Sequence, residues 1–306
     1  MMIISPFDLP GRFYKGNLHT HSTESDGMLS PADLTEAYRL RGYDFLTISD
    51  HFMDRFGWSI TDSRPFQTDT FSTLIGAELH VPRTSKWEIW HLLAVGLPLD
   101  FARPSANENG PEIAARAAAA GAFVGIAHPA WYGLTEEDAN TITAAHAVEI
   151  YNNNCELGFD KGDGWGLLDN LLLQGRRLTG FASDDAHFKF PDAFGGWIQV
   201  RAKSNDPASI LSSLKQGHYY SSQGPEIHSI EITADQIIIR SSPIQRVSAG
   251  WHGNKSVCSV SADQTLTILE RKPVSEVPRL RITITDRYGR KAWSNPIWMD
   301  TVSLET

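Results

Sequence analysis

The chain has 306 residues and a formal net charge of −9, with 41% hydrophobic and 21% charged residues. That length holds one large domain plus a small one, and the mixed composition excludes a disordered, fibrous or membrane-embedded class. Residues 1–222 carry 17 Lys+Arg against 27 Asp+Glu and residues 223–306 carry 10 against 9, which argues against nucleic acid held on a broad basic face.

Two cysteines, Cys155 and Cys258, supply no disulfide framework. The opening MMIISPFDLP lacks the basic region and apolar run of a signal peptide, and no stretch is apolar for long enough to span a bilayer. The expectation is a cytoplasmic protein with no membrane partner.

Residues 1–222 alternate strand-like and helix-like segments. Residues 18–21 read as a strand end. Ser30, Pro31 and Asp33 then give an N-cap, a first-turn proline and a capping-box acid, and Gly42 closes that helix. Residues 43–49 form a buried strand by length and β-branched content, and 72–79 and 91–95 are further strands. A helix over 111–120 ends at Gly121, a strand covers 122–127, and Thr135 with Asp138 caps another helix. Then come a strand at 147–151, a helix at 163–174, strands at 178–182 and 197–201, a helix at 207–216 and a strand at 219–221. Strands alternating with helices predict a parallel sheet, and this many units predict barrel-like closure.

After residues 222–225 (SQGP) the texture changes. Short strands at 227–232, 236–240, 257–260, 265–269, 280–285 and 292–298 are separated by Ser, Pro, Gly and Asn. The segment 223–306 reads as a small all-β sandwich appended to the α/β domain 1–222. It could bind carbohydrate, shape the rim of a site or mediate dimers, and its sequence carries no ligand signature.

Six patches in the first two-thirds carry histidines or carboxylates where apolar runs give way to polar loops. His19 and His21, at i and i+2, share one face of a strand and can reach one cation. Asp26, before Gly27, fits a ligand and an ordinary turn aspartate alike. Asp50 and His51 end an apolar strand, where the carboxylate can orient an imidazole or hold a proton. Glu78 ends another apolar strand, a costly place for a carboxylate unless it is paired or metal-bound, and His80 on the same face is a supporting or substrate-facing residue. His91 begins a strand and His128 ends one. In Asp184–Asp185–Ala186–His187, Asp185 and His187 repeat the i, i+2 spacing, so Asp185 is the ligand and Asp184 its neighbour. Glu149, at a further strand end, is an inward polar residue near the same place.

His19, His21, Asp26, His51, Glu78, His91, His128, Asp185 and His187 make nine candidate ligands, too many for one tetrahedral zinc and enough for two or three bridged cations. Mixed imidazole and carboxylate donors suit Zn, Mn or Fe(II). Arg55, Arg64, Arg83, Lys86 and Lys189 flank the patches and could hold a phosphate. Residues 52–70 form a long polar loop, a lid by its position. Trp58, Trp87, Trp90, Trp131 and Trp165 lie in or near loops facing the site, and if two or three line the pocket an aromatic leaving group or nucleobase becomes attractive.

The segments 17–22 (NLHTHS), 25–27 (SDG), 48–51 (ISDH), 76–78 (GAE), 126–129 (IAHP) and 182–187 (ASDDAH) resemble, in this order, the PHP family, named for polymerase and histidinol phosphatase domains. The resemblance spans roughly residues 15–200. It implies a distorted seven-stranded (β/α) barrel with a bi- or trinuclear centre that hydrolyses phosphoesters. It further implies one metal at His19, His21, Glu78 and Asp185, a second shared through Glu78 with His91 and His128, and a third at Asp26, His51 and His187. Residues 195–200 and 220–225, with the extra β-domain, look like the carbaryl-hydrolase-like branch, which implies carbamate or aryl ester chemistry as an alternative.

The expected protein is therefore a metal-dependent hydrolase, a phosphoesterase acting on a small phosphorylated molecule through a metal-activated hydroxide. Asp50, His51, His187 or a metal-bound water could supply the leaving-group proton, and the sequence does not rank them. The competing readings are an aryl ester or carbamate hydrolase on the same centre, and a non-catalytic metal-bearing binding or regulatory module.

Overall fold

The computed structural model describes residues 2–3, 5–233, 235–251, 255–270 and 278–301. A short strand β1 (Met2–Ile3) precedes β2 (Arg12–Asn17), helix α1 (Pro31–Leu40), β3 (Phe45–Ile48), the two-residue β4 (His51–Phe52), β5 (Ser72–Leu79) and β6 (Leu92–Val95). Helix α2 (Gly110–Ala119), β7 (Phe123–Ile126), α3 (Glu136–Thr141), β8 (Ala147–Asn152), α4 (Asn153–Phe159), α5 (Trp165–Leu173) and β9 (Thr179–Ser183) follow, then β10 (Trp197–Ala202), α6 (Pro207–Lys215) and β11 (Tyr219–Ser222). The helix starts obey local chemistry. Ser30 accepts from Asp33 N, Asn109 and Glu112 form a reciprocal capping box, and Thr135 and Asp206 cap α3 and α6.

β2 pairs parallel with β3, β3 with β5, β7 with β8, and β8 with β9. β6 runs antiparallel to both β5 and β7, and β10 antiparallel to β2 and β11. The sheet is thus mixed rather than all parallel, and its ladder does not close. Beyond β9 and β2, regular pairing shrinks to one bridge, Thr20 to Ala186, with His21 N donating to Ala186 O at 2.9 Å. Asp185 stands there in the left-handed region (φ 55°), and the Asp184 side chain draws in the backbone N–H groups of Phe194, Gly195 and Gly196. The chain therefore leaves the sheet before a second ladder can form. In place of the expected closed seven-stranded barrel stands an open mixed sheet.

The sheet is buried on both faces. Along β6, Leu92 and Ala94 join a core with Ile113 and Ala117 of α2 and Leu168 and Leu171 of α5, while Leu93 and Val95 join another with Phe45, Phe181, and Ile210 and Leu214 of α6. Alternate residues pointing to opposite faces produce this division.

The C-terminal strands are β12 (Ile227–Ile232), β13 (Gln236–Gly250), β14 (Ser256–Glu270), β15 (Arg279–Thr285), β16 (Lys291–Ser294) and β17 (Ile297–Trp298). They pair antiparallel around a core that includes Ile230, Ile239, Val247, Ile282 and Ile284. β16 also pairs with β11, so hydrogen bonding runs on from the first part of the chain, where a separate sandwich was expected. β13 and β14 are each 15 residues long. The loop-like Ser241–Ser242–Pro243 hides this in the sequence, because the irregular register there absorbs the proline without ending the strand.

Candidate metal centre

The polar patches meet at one edge of the sheet. His19 and His21 follow β2, His51 sits in β4, Glu78 in β5, His128 follows β7, and Asp185 and His187 follow β9. His91 precedes β6, and since β6 runs antiparallel its beginning lies where the parallel strands end. Within β4 and β5, His51 and Glu78 are direct register partners.

Glu78, fully buried on its strand, is the hub. Its Oε1 lies 2.7 Å from His91 Nδ1 and 3.0 Å from His128 Nε2, and its Oε2 lies 2.7 Å from His51 Nδ1, 3.4 Å from His80 Nε2, 3.6 Å from His19 Nε2 and 3.7 Å from His21 Nε2. Asp185 Oδ1 stands 2.9 Å from His21 Nε2 and 3.3 Å from His19 Nε2. Asp26 Oδ1 lies 3.3 Å from both His51 Nε2 and His187 Nε2.

Whether these donors fit cations can be tested on the geometry. Tetrahedral coordination at the usual zinc–nitrogen and zinc–oxygen distances separates ligand atoms by about 3.3–3.6 Å, the spacing found around Asp26 and between His19, Asp185 and Glu78. Four groups place their ligand atoms within 4.8 Å of one another: His21–Asp26–His51–His187, His19–His21–Asp185, His19–Glu78–His128 and His51–Glu78–His80. Moreover His19 Nε2, both ring nitrogens of His21, Asp26 Oδ1, Glu78 Oε2, His128 Nδ1 and Asp185 Oδ1 are buried without a hydrogen-bond partner. So many orphaned polar atoms in one place are costly unless an ion satisfies them. The donor set fits divalent cations.

All nine expected ligand residues converge. His91 reaches Glu78 but joins none of the four groups, whereas His80, read as a supporting residue, joins one. Its signal was the period-2 spacing from Glu78. The two aspartates at 184–185 separate cleanly: Asp185 Oδ1 faces the cluster, while Asp184 accepts from Asn17 Nδ2, Tyr38 OH and three backbone N–H groups.

Asp50 is held on both oxygens, which accept from Ser22 N, Ser22 Oγ, Ser25 Oγ and Thr61 Oγ1 at 2.6–2.7 Å. It ties the loop after β2 to the 52–70 loop. Glu149 takes a role the sequence only hinted at. It bonds His19 Nδ1 at 3.1 Å and also accepts from His128 N, Asn152 Nδ2 and Ser183 Oγ, fixing the ring so that Nε2 points inward. Asp192, unmarked in the sequence, holds the His187 backbone N at 2.9 Å.

Burial would raise the Glu78 and Asp185 carboxyls, but the surrounding imidazoles hold both well below the ordinary carboxylate range. Burial lowers His91 to about 3, against the pull of Glu78. At His51 burial is outweighed by Glu78 and Asp26, and the ring rises to about 10.

A cavity of about 460 Å³ opens over the cluster. Of the five cations considered, Arg55 and Lys189 line it, the latter 2.8 Å from Asp26 Oδ2. Arg64 instead pairs with Asp62, and Arg83 stacks on Trp87. Of the five tryptophans only Trp131 is in its wall. Trp90 and Trp165 are buried in the core, Trp58 packs on Phe52, and Trp87 is exposed.

Among solved structures, the chain shares its fold with a two-domain protein from Bacteroides vulgatus, described as containing a predicted PHP-like metal-dependent phosphoesterase. The TM-score is 0.54 and the identity 14%, over 91% of this chain and 93% of that one. At that identity the likeness establishes fold alone, a PHP-like fold in keeping with the motifs at residues 17–187. Two further similarities are weaker. A presumed metal-dependent phosphoesterase from Bifidobacterium adolescentis aligns over 60% of this chain and 89% of its own (TM-score 0.40, 16% identity), and an amidohydrolase from Chromobacterium violaceum, with bound sulfate and no metal, over 56% and 87% (TM-score 0.43, 14% identity). No family model and no curated protein matches the sequence. Among the described residues, no helix is long and apolar enough to cross a membrane.

Proposed function

We propose that this protein is a metal-dependent phosphoesterase that hydrolyses a small phosphorylated molecule. The observation that carries the reading is the set of buried, unpartnered ligand atoms brought from separate loops around Glu78. Two or three divalent cations, Zn, Mn or Fe(II), would be held by His19, His21 and Asp185, by Glu78 with His128 and His91, and by Asp26 with His51 and His187. Bound there, such ions supply Lewis acidity and activate water for attack.

The chain's own residues do the rest. Glu149 fixes His19, Asp192 fixes the His187 backbone, and Asp184 anchors the strand end that presents Asp185. Arg55 and Lys189 offer the cavity two positive groups for phosphate oxygens. His51 Nε2 and His187 Nε2 both face Asp26, while His51 Nδ1 meets Glu78 and His187 Nδ1 meets the Asp185 carbonyl.

One observation favours a second reading, an aryl ester or carbamate hydrolase: the cavity wall includes Met53, Ile89, Trp131, Phe159 and Phe190. Steady-state hydrolysis by metal-reconstituted protein separates the two. Turnover of p-nitrophenyl phosphate or its bis ester, lost in His19→Ala, is the expected result. Turnover of p-nitrophenyl acetate alone, lost in the same variant, would move the assignment to the ester reading. Inactivity on all three would favour a binding module.

A further inference from the structure

The cavity over the metal cluster is polar at one end and aromatic at the other. Lys189 bonds Asp26, Asp26 faces His51 and His187, and Arg55 lies on Phe56, which stacks 5.9 Å from the His51 ring. The positive groups therefore gather on the Glu78 Oε2 side. At the Oε1 side stand His91 and His128, and against them Trp131, with ring centroids 5.5 and 5.3 Å away. Phe159 meets Trp131 edge-on at 5.9 Å. Phe190 lies over the neighbouring Gly158, where an added methyl would meet its Cζ at 3.5 Å.

Core packing does not account for this wall. Phe159 is 54% exposed, Phe190 39% and Ile89 39%, and all three line the same cavity. They come from three separate segments, the end of α4, the loop after β9 and the loop before β6. Large apolar side chains kept in water around one concave site mark a binding surface.

The spacing restricts what the wall receives. Trp131 contacts the rings of two residues that themselves touch Glu78, so an aromatic group stacked on it sits directly beside the reacting centre. We propose that the aromatic wall selects a phosphate ester whose ring is carried on the ester oxygen itself, an aryl phosphate, with Trp131, Phe159 and Phe190 as specificity-determining residues and Arg55 and Lys189 on the phosphate. This rests on the phosphoesterase reading. A ring separated from phosphorus by a flexible spacer or a sugar would be carried past Trp131.

The test is calorimetric binding of non-hydrolysable phosphonates to metal-loaded protein, with Trp fluorescence as a second readout. Benzylphosphonate, in which CH2 replaces the ester oxygen of an aryl phosphate, 3-phenylpropylphosphonate and methylphosphonate are compared in wild type, Phe159→Ala and Phe190→Ala, two exposed positions whose truncation leaves the core intact. Benzylphosphonate is expected to bind about 2- to 10-fold more tightly than methylphosphonate, the range for one aromatic contact, and each variant is expected to shrink that preference. Equal binding of benzyl- and methylphosphonate, or preference for the spaced ring, would overturn the proposal and leave the phosphoesterase reading standing. Failure of all three phosphonates, with p-nitrophenyl acetate still hydrolysed, would overturn both.

Discussion

Asp184 and Asp185 are adjacent, identical and both buried, yet the structure gives them different work, and substituting each with asparagine separates the two roles. Asp184 Oδ1 accepts from Gly195 N and Gly196 N, and its Oδ2 from Asn17 Nδ2, Tyr38 OH and Phe194 N. An asparagine has one acceptor oxygen. Placed to keep the Oδ2 set, it turns an NH2 toward two backbone N–H groups; placed the other way, it opposes three donors. The cheaper arrangement forfeits two buried, charge-assisted bonds at about 1–3 kcal/mol each, so Asp184→Asn should cost about 2–6 kcal/mol, a large share of the roughly 5–15 kcal/mol of a typical domain. Asp185 Oδ1 has no hydrogen-bond partner, so Asp185→Asn should cost the metal-free protein less and the metal affinity more. Urea unfolding of metal-free protein, followed by circular dichroism, reads the first effect, and metal titration the second. An Asp184→Asn protein with wild-type stability, or a larger metal-free loss for Asp185→Asn, would refute the division of labour.

Three other outcomes follow from particular contacts. Glu149→Ala frees the His19 ring and should weaken metal binding about 10- to 100-fold, measured by competition with a chromogenic chelator. Arg55→Ala should raise KM for a phosphate ester by several fold with a smaller change in kcat, since Arg55 lines the cavity without touching the ligand cluster; an unchanged KM in steady-state kinetics would count against its role. His146 accepts from Val124 N through Nδ1, and burial, aided by Lys215, lowers its pKa below the usual 6.5. The unfolded chain then binds a proton more readily than the folded one, so the contribution of His146 is present above pH 6.5 and lost as pH falls from there toward the folded value. The stability gap between wild type and His146→Leu in urea should therefore narrow from pH 7 to pH 5.

Much of the site was legible because its residues occupy strand ends, and a strand end is marked by the change from apolar to polar residues. Glu78 after Ile75–Gly76–Ala77 is the plainest case: a carboxylate in that setting requires partners, and it has six imidazoles. The choice of Asp185 over Asp184 followed from i, i+2 spacing, although Asp185 lies beyond the strand in a left-handed turn. Spacing did not reveal direction within loops. Asp50 and Asp26 looked alike as polar residues near histidines, but one faces Ser22, Ser25 and Thr61 and the other faces His51 and His187. The aromatic wall was hidden for the same reason, since Phe159 belongs to α4, a short helix whose start at Asn152 carries no strong periodic signal. Sheet closure was beyond local reading altogether. It depends on whether β9 and β2 pair, and the Asp184 network that draws the chain away joins residues more than 140 positions apart.

The measurement that bears most directly on the central claim is the metal content of the protein. Purified chain, stripped with chelator and dialysed against Zn2+ or Mn2+, would be analysed by inductively coupled plasma mass spectrometry beside Glu78→Gln. The account predicts two or three tightly held ions per chain and a loss of at least one in the variant, because both oxygens of Glu78 face ligand histidines. A wild-type content well below one ion per chain, or an unchanged content in Glu78→Gln, would contradict it.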